Sequence, residues 1–448
     1  MKKKILLCLV ISVLLFSCQK ETQRDVGSEA QSKTVASTPK AEHESSAVAT
    51  DWYRLQTRIL LERNSALNTV VYWAYMGIGL YEAVRPGIKG AISFSSVNLY
   101  KKVPALPATE NNQGYSWGVS ANAALASMVR LFFTGLTAAN RASIDSLEAA
   151  YNEKLQPAEG SAVFNRSQAY GRSIATAIYN WSLTDDFNIT NIGYTPPAPF
   201  PGSWQPTPPA FQQIPVNPFF KDATPFLVED LTAISPKFPL AYSEVPGSPF
   251  YNMVKQVYDV NKALTPTQRA IALFWVDQGN GLGYTPPGHD FLFITQAIEQ
   301  SHASLAVAAE VYAKAGIAHR EGQIVTFRSK YDNFLVRPVT YIQKVIEAGW
   351  LPVFPTPPHP EYPAAHAMVT GTVMQAVERV LGPNITVTDT SYNFRGYPSM
   401  KFTSIFNYAE VAGISRNYGG IHYLISINIG LQMAKEIGNR VGDIKLHE

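Results

Sequence analysis

Thiols are nearly missing from this chain: of its 448 residues only Cys8 and Cys18 are cysteines. Thiol catalysis, disulfide frameworks, iron–sulfur clusters and cysteine-ligated zinc are therefore excluded from everything that follows Cys18. A dominant charge of one sign is missing too. The formal net charge of +3 is too small to argue for nucleic acid or an anionic surface as a partner, so any strong positive field must be local. The apolar run Ile5–Phe16 is too short to span a bilayer comfortably, which takes roughly 20 apolar residues. Clean period-two strand patterns are scarce, and no zinc, calcium or nucleotide motif stands out. What is present is apolar material: 46% of residues are hydrophobic and 16% charged, enough for a substantial core.

The first residues read as an export signal. Lys2, Lys3 and Lys4 precede the apolar run, and Leu15-Phe16-Ser17-Cys18 is similar to a bacterial lipobox. This divides the chain into a signal peptide (1–17), a flexible tether (18–50) and one helical domain (51–448). Cys18 would carry the lipid and make the only membrane contact, so the expected location is the cell envelope of an exporting bacterium. The tether follows from a stretch to about Thr50 with almost no large apolar residue.

From Trp52 onward the period is helical. Apolar residues recur at three- and four-residue spacing in Tyr53–Ala83, Ser120–Phe133, Asn140–Tyr151, Ala162–Trp181, Pro266–Val276 and Leu292–Ala315. No internal repeat or domain linker interrupts the series, so the expected fold is an all-α bundle. Between about Asn191 and Pro249 proline and aromatic residues crowd together. That composition favours long rigid loops, packed over the bundle or forming a substrate mouth.

Three C-terminal segments carry the chemistry. In the first, Lys330 and Arg337 are seven residues apart, on one stripe of a helix that Pro338 should end at Arg337. In the second, Pro363 should open a helix, leaving the amides of Ala364, Ala365 and His366 unpaired as an anion site, with His366 able to exchange a proton. His359 lies seven residues before His366. In the third, Gly419-Gly420 should interrupt a helix through Phe406–Ile414, so that Arg416 and His422 point to one place. Each segment alone has an ordinary reading: a solvated face, a packed histidine, a structural donor. Together they supply three cations, a helix N-terminus and histidines, a set suited to a tetrahedral oxyanion.

The order Lys-x6-Arg-Pro, Pro-x-x-His, Ser-Arg-x5-His resembles the signature of vanadium haloperoxidases and type 2 phosphatidic acid phosphatases. Phe274–Asp277 and Thr285–His289 resemble further haloperoxidase patterns. The resemblance implies a helical bundle holding vanadate. His422 would bind vanadium, Lys330, Arg337 and Arg416 would hold its oxygens with the Ala365 amide, and His366 would be the acid–base residue. Lys330 would also polarise bound peroxide, and Asp277 would orient the arginines. It implies oxidation of iodide or bromide by hydrogen peroxide to hypohalous acid, which halogenates a small organic acceptor. Two departures touch the pocket. Ala364-Ala365 stands where the family usually has Ser-Gly, and Phe327 where haloperoxidases often carry tryptophan. The phosphatase branch of the superfamily, or an anion- or nutrient-binding surface lipoprotein without turnover, are the alternative readings.

Overall fold

The computed structural model describes residues 40–63, 69–227, 231, 234–277 and 283–448. The signal peptide, the lipobox and most of the tether lie outside them. Residues 40–50, assigned to the tether on composition, belong to the packed body. Ala41 is fully buried, Glu44 receives the Gly118 amide, and the first long helix already starts at Ala47. Their few apolar side chains are placed inward, which composition cannot reveal.

Among the described residues there are thirteen α-helices and one short β-ribbon. Helices α1 (Ala47–Arg63) and α2 (Thr69–Val84) lie along the helical stretch expected over Tyr53–Ala83. Helices α3 (Trp117–Phe132), α4 (Ala138–Glu159) and α5 (Ser161–Ser182) follow the sequence pattern, with α4 longer than expected. Then come α6 (Pro249–Lys262), α7 (Pro266–Phe274) and α8 (Pro286–Gln300). The chain continues through α9 (Leu305–Asn333), α10 (Pro338–Val345), α11 (Ala365–Leu381), α12 (Ile405–Tyr418) and α13 (Leu424–Gly442). The periodic stretch Leu292–Ala315 is broken between α8 and α9. Ser304 caps α9 by accepting the Val307 amide, and His302 adopts a left-handed φ of 53°. Local cap chemistry thus overrides a hydrophobic period that runs on through the break.

Helix α9, 29 residues and almost wholly buried, is the axis of the molecule. It packs against α2 along one side and α11 along another, while α11 is also covered by α12 and α13. Strands β1 (Val387–Asp389) and β2 (Met400–Phe402) pair antiparallel, with Val387 opposite Phe402 and Asp389 opposite Met400. Among its described residues the proline-rich segment has no long helix, and it folds back over the end of α9. Trp204 N donates to Phe334 O, Val336 N to Gly202 O and Val216 N to Pro358 O. No described helix is long and apolar enough to cross a membrane.

The α2–α9 contact depends on two glycines. A Cβ at Gly77 would lie 2.3 Å from Tyr312 O, and one at Gly316 would lie 2.3 Å from Trp73 O. Backbone sits against backbone here, so no side chain can move aside. Gly316→Ala is expected to lose about 1–3 kcal/mol or more. Gly349→Ala, where an added Cβ meets nothing within 4 Å, should change little. Urea unfolding midpoints check this; equal midpoints for the two variants would contradict the close crossing.

Candidate active site

The three segments converge where α9 ends and α11 begins. The first helix stops earlier than expected: Asn333 is its last residue, and Phe334 turns left-handed at φ 44°. Arg337 is extended, at φ −80° and ψ 150°, as the residue before proline should be. Lys330 and Arg337 therefore do not share a helical stripe, yet both are fully buried against the same loop, residues 357–363. Lys330 Nζ donates to the carbonyls of Pro360 (2.9 Å), Glu361 (2.9 Å) and Pro363 (2.6 Å). All three ammonium donors are thus used on the backbone. Burial and Arg337 push this lysine well below its usual range, against the opposing pull of Glu361.

Arg337 is as fully occupied. Its Nε donates to His359 O at 2.8 Å, one terminal nitrogen to Ile421 O at 2.9 Å and His422 Nε2 at 3.0 Å, and the other to His359 Nδ1 at 3.0 Å. Because a guanidinium only donates, His422 Nε2 must carry a lone pair. The proton is then on Nδ1, which donates to Glu361 Oε1 at 2.7 Å. Burial first, then Arg337 and Lys330, hold His422 well below the ordinary histidine range, in agreement with a neutral ring. Glu361 also accepts the Tyr423 amide at 3.0 Å and the Ser426 hydroxyl at 2.6 Å. Burial lifts its pKa to about 6, with Ser426, Arg337 and Lys330 opposing. His422 comes into reach because Gly420 takes φ 78° just after α12, as the diglycine suggests.

Helix α11 begins two residues later than expected, at Ala365. Ala364, extended at ψ 114°, is its N-cap, so Pro363 precedes the cap. The Ala364 amide faces Ser426 O at 3.5 Å, and Ala367 N returns to Ala364 O at 3.1 Å. Two of the three expected amides, Ala365 and His366, make no hydrogen bond among the described residues. They are the anion-facing pair.

His366 lies in that first turn with Nε2 3.4 Å from Asp277 Oδ2, an ion-pair distance without hydrogen-bond alignment. Burial and Arg416 lower its pKa to about 4, Asp277 opposing. Asp277 itself is fixed from behind: Oδ1 accepts from Tyr392 OH at 2.6 Å and pairs with His289 Nδ1 at 3.2 Å. His289 reaches Asp389 Oδ2 at 3.1 Å with its other nitrogen. Desolvation would strip this ring of its charge, but the flanking carboxylates raise it to about 10, so it is an imidazolium between two aspartates. That cation keeps Asp277 ionised despite burial.

Arg416 donates to Trp275 O, its guanidinium lies 4.6 Å from the Phe354 ring centroid, and its buried Nε has no partner. A cavity of about 530 Å³ opens over these groups and is lined by Asp277, His359, Ala365, His366, Arg416 and His422. Phe327 is in its wall, edge-on to His359 at 5.5 Å. Lys330, Arg337 and Ala364 are not among the lining residues and stand behind them. Asp277 contacts Arg416 through charge, while its direct partners are the two histidines and Tyr392. Sequence reasoning missed Glu361, Tyr392, Asp389 and Asp290. Glu361 could have been suspected from its place between His359 and His366; the others carry no local signal. Asp290 lines the cavity, receives the Thr370 hydroxyl at 3.1 Å, and is raised to about 8 by burial.

A neutral histidine whose Nε2 lone pair is engaged only by Arg337, an unpaired guanidinium nitrogen and two open amides form a set suited to an oxyanion. The family model for the VCPO second helical-bundle domain matches residues 310–446, which contain all three segments. A solved structure described as the first bacterial vanadium-dependent iodoperoxidase superposes with a TM-score of 0.78 at 26% identity, covering 90% of this chain and 97% of that one. The apo form of a bacterial vanadium-dependent chloroperoxidase gives a TM-score of 0.61 at 15% identity, covering 84% and 92%. Its holo-type counterpart gives 0.59 at 15%, covering 92% and 94%, and these two support the fold alone. No curated protein sequence matches the chain. Residues 310–446 are thus similar to the VCPO second helical-bundle domain, and the fold is similar to that of bacterial vanadium-dependent haloperoxidases.

Two expectations follow from this geometry. Replacing Glu361 by Gln keeps the shape but removes the charge that holds His422. A hydrogen bond to a charged group is worth about 1.5–3 kcal/mol, so orthovanadate affinity measured by calorimetry should fall roughly ten- to a hundredfold. Unchanged affinity in a natively folded variant would remove Glu361 from the site. Asp290 is protonated in the folded protein up to about pH 8 but ionised in the unfolded chain above its ordinary value of 3.8. Its contribution to stability is therefore complete below that value and is lost as pH rises towards 8, by up to about 1.4 kcal/mol per pH unit. Asp290→Asn should flatten that part of the slope. Parallel urea profiles for both proteins between pH 5 and 8 would show that the acid is not held neutral.

Proposed function

We propose that this protein is a vanadate-dependent haloperoxidase that oxidises iodide with hydrogen peroxide, with bromide as the second substrate. The observation that carries the reading is His422, which lines the cavity together with Arg416, Ala365 and His366 and is held through Nδ1 by Glu361 with its Nε2 lone pair on Arg337. That set would fit vanadate: His422 would hold the metal once its Nε2 lone pair is released from Arg337, and the N–H groups of Arg416, Ala365 and His366 would take its oxygens. When bound, vanadate supplies a Lewis acid of constant oxidation state that activates peroxide towards halide.

The protein's own share is positioning and proton handling. Glu361 orients His422 and keeps its proton on Nδ1. Lys330 holds the carbonyls of Pro360, Glu361 and Pro363, and so sets the loop from which α11 starts. Arg337 supports His359 and His422 from behind. His366 is neutral at physiological pH and free to accept a proton from peroxide; with Nε2 turned towards Asp277, Nδ1 is the atom left to take it. The net reaction consumes halide, peroxide and one proton and releases hypohalous acid and water. Similarity to an iodoperoxidase supports iodide, and iodide is also the halide most easily oxidised. Export as a lipoprotein anchored on Cys18 is part of the same proposal, since secreted location suits an oxidant-producing enzyme.

The test is halide oxidation by purified protein with iodide, bromide and chloride plus peroxide, with and without orthovanadate, beside a generic phosphate ester. Vanadate-dependent iodide oxidation is expected, with loss of at least roughly a hundredfold in His422→Ala. Ester hydrolysis without halide oxidation would move the protein to the phosphatase branch. Inactivity in both assays would favour an anion-binding lipoprotein.

A further inference from the structure

The cavity is larger than the chemistry at its floor requires. A water molecule occupies about 30 Å³ of liquid, and an oxyanion, a peroxide and a halide are each only a few times that at most. About 530 Å³ therefore leaves much of the space to something else. The walls above the floor are apolar: Leu60, Ile189, Val216, Phe220 and Phe327. The aromatic part begins at the site itself. The Phe327 ring is 5.5 Å from His359, and Phe220 is 4.8 Å from Phe327, both pairs edge-to-face.

Charge narrows the class of occupant. The floor carries Arg416, with Arg337 and Lys330 directly behind, so an ammonium group is repelled. No carboxylate offers it a partner. Asp277 is already bound by Tyr392 and His289, and Asp290 sits in the wall with Thr370 as an uncharged acid at neutral pH. A carboxylate-bearing guest would compete with the oxyanion for Arg416. What fits is uncharged, flat and mostly apolar, with one hydrogen-bonding group for Thr370, Asp290 or Gln323.

We propose that the upper cavity, walled by Phe220 and Phe327, binds a small neutral aromatic acceptor of phenol or indole type, which is halogenated before the oxidant escapes. This rests on the peroxidase reading for the supply of hypohalous acid. The transfer step forms a ring carbon–halogen bond and breaks the halogen–oxygen bond. The ring loses its proton, which joins the departing hydroxide as water.

The experiment separates the binding site from the oxidation. Calorimetric titration of the protein without vanadate by para-cresol should show saturable binding, weakened roughly fivefold in Phe220→Ala and less in Phe220→Leu. Iodide oxidation should be unchanged in both variants, and melting curves establish that they fold. In turnover, free para-cresol and the same phenol coupled to dextran compete for iodine. The product ratio is compared with that from reagent hypoiodous acid. A strong excess of the free product over the reagent ratio is expected. Absent binding, or a ratio equal to the reagent's, would overturn the proposal. Binding that persists without any halide oxidation would count against the peroxidase reading alone and leave the aromatic site supported.

Discussion

A single buried residue, Glu361, joins its own loop to three other parts of the chain. Its carbonyl receives Lys330 from the end of α9, and its carboxylate receives His422 and Tyr423 after α12 and Ser426 in α13. A carboxylate without water costs several kcal/mol unless its oxygens are filled by donors. Here three donors fill them, and Lys330 and Arg337 compensate the charge. The same arrangement cancels part of the repulsion between those two cations. Remove the glutamate and the site would hold buried positive charge with nothing to retain it; remove the cations and the glutamate would be unpaired. Each side of the cluster stabilises the other, which is why the loop 357–363 has one conformation to offer.

The second cluster uses the same logic with signs reversed. His289 is a buried cation between Asp277 and Asp389, and it consumes most of the attraction that Asp277 could exert on His366. His366 thus feels burial and the nearby Arg416 more than its aspartate, and it remains a neutral base in a positive pocket. The positive charge that attracts anions also disfavours a further charge on His366. Two carboxylates and one imidazolium placed behind the wall separate anion attraction, at Arg416 and the amides, from proton acceptance at His366.

Much of this was legible in the residues, and the losses have physical causes. The three motif segments do meet, and Gly419-Gly420 does redirect the chain towards His422. Helical periodicity located most helices. It failed at Ser304, where a side-chain cap starts a new helix inside an unbroken apolar pattern, and at Phe334, where the helix ends before the proline that should end it. Proline limits the residue before it but does not compel the helix to reach that point. Glu361, Asp389 and Asp290 were hidden for another reason. A lone acidic residue ordinarily signifies solvent exposure, and only tertiary contacts show that it is buried and paired. In the proline-rich segment Phe220 packs on Phe327 and also lines the cavity.

The Ala364-Ala365 pair has a consequence that reaches past the loss of one hydroxyl. The neighbouring hydroxyls are already committed, Ser426 to Glu361 and Thr370 to Asp290, so none turns to the floor of the cavity. Anion recognition there is left to a guanidinium, two backbone amides and a histidine nitrogen. Hydroxyls adapt, because they rotate and can donate or accept; these groups cannot. A site made only of fixed donors and one fixed acceptor is selective for a fully ionised oxyanion of the right size and tolerates protonated forms poorly. It also contributes less binding energy than one with an added hydroxyl.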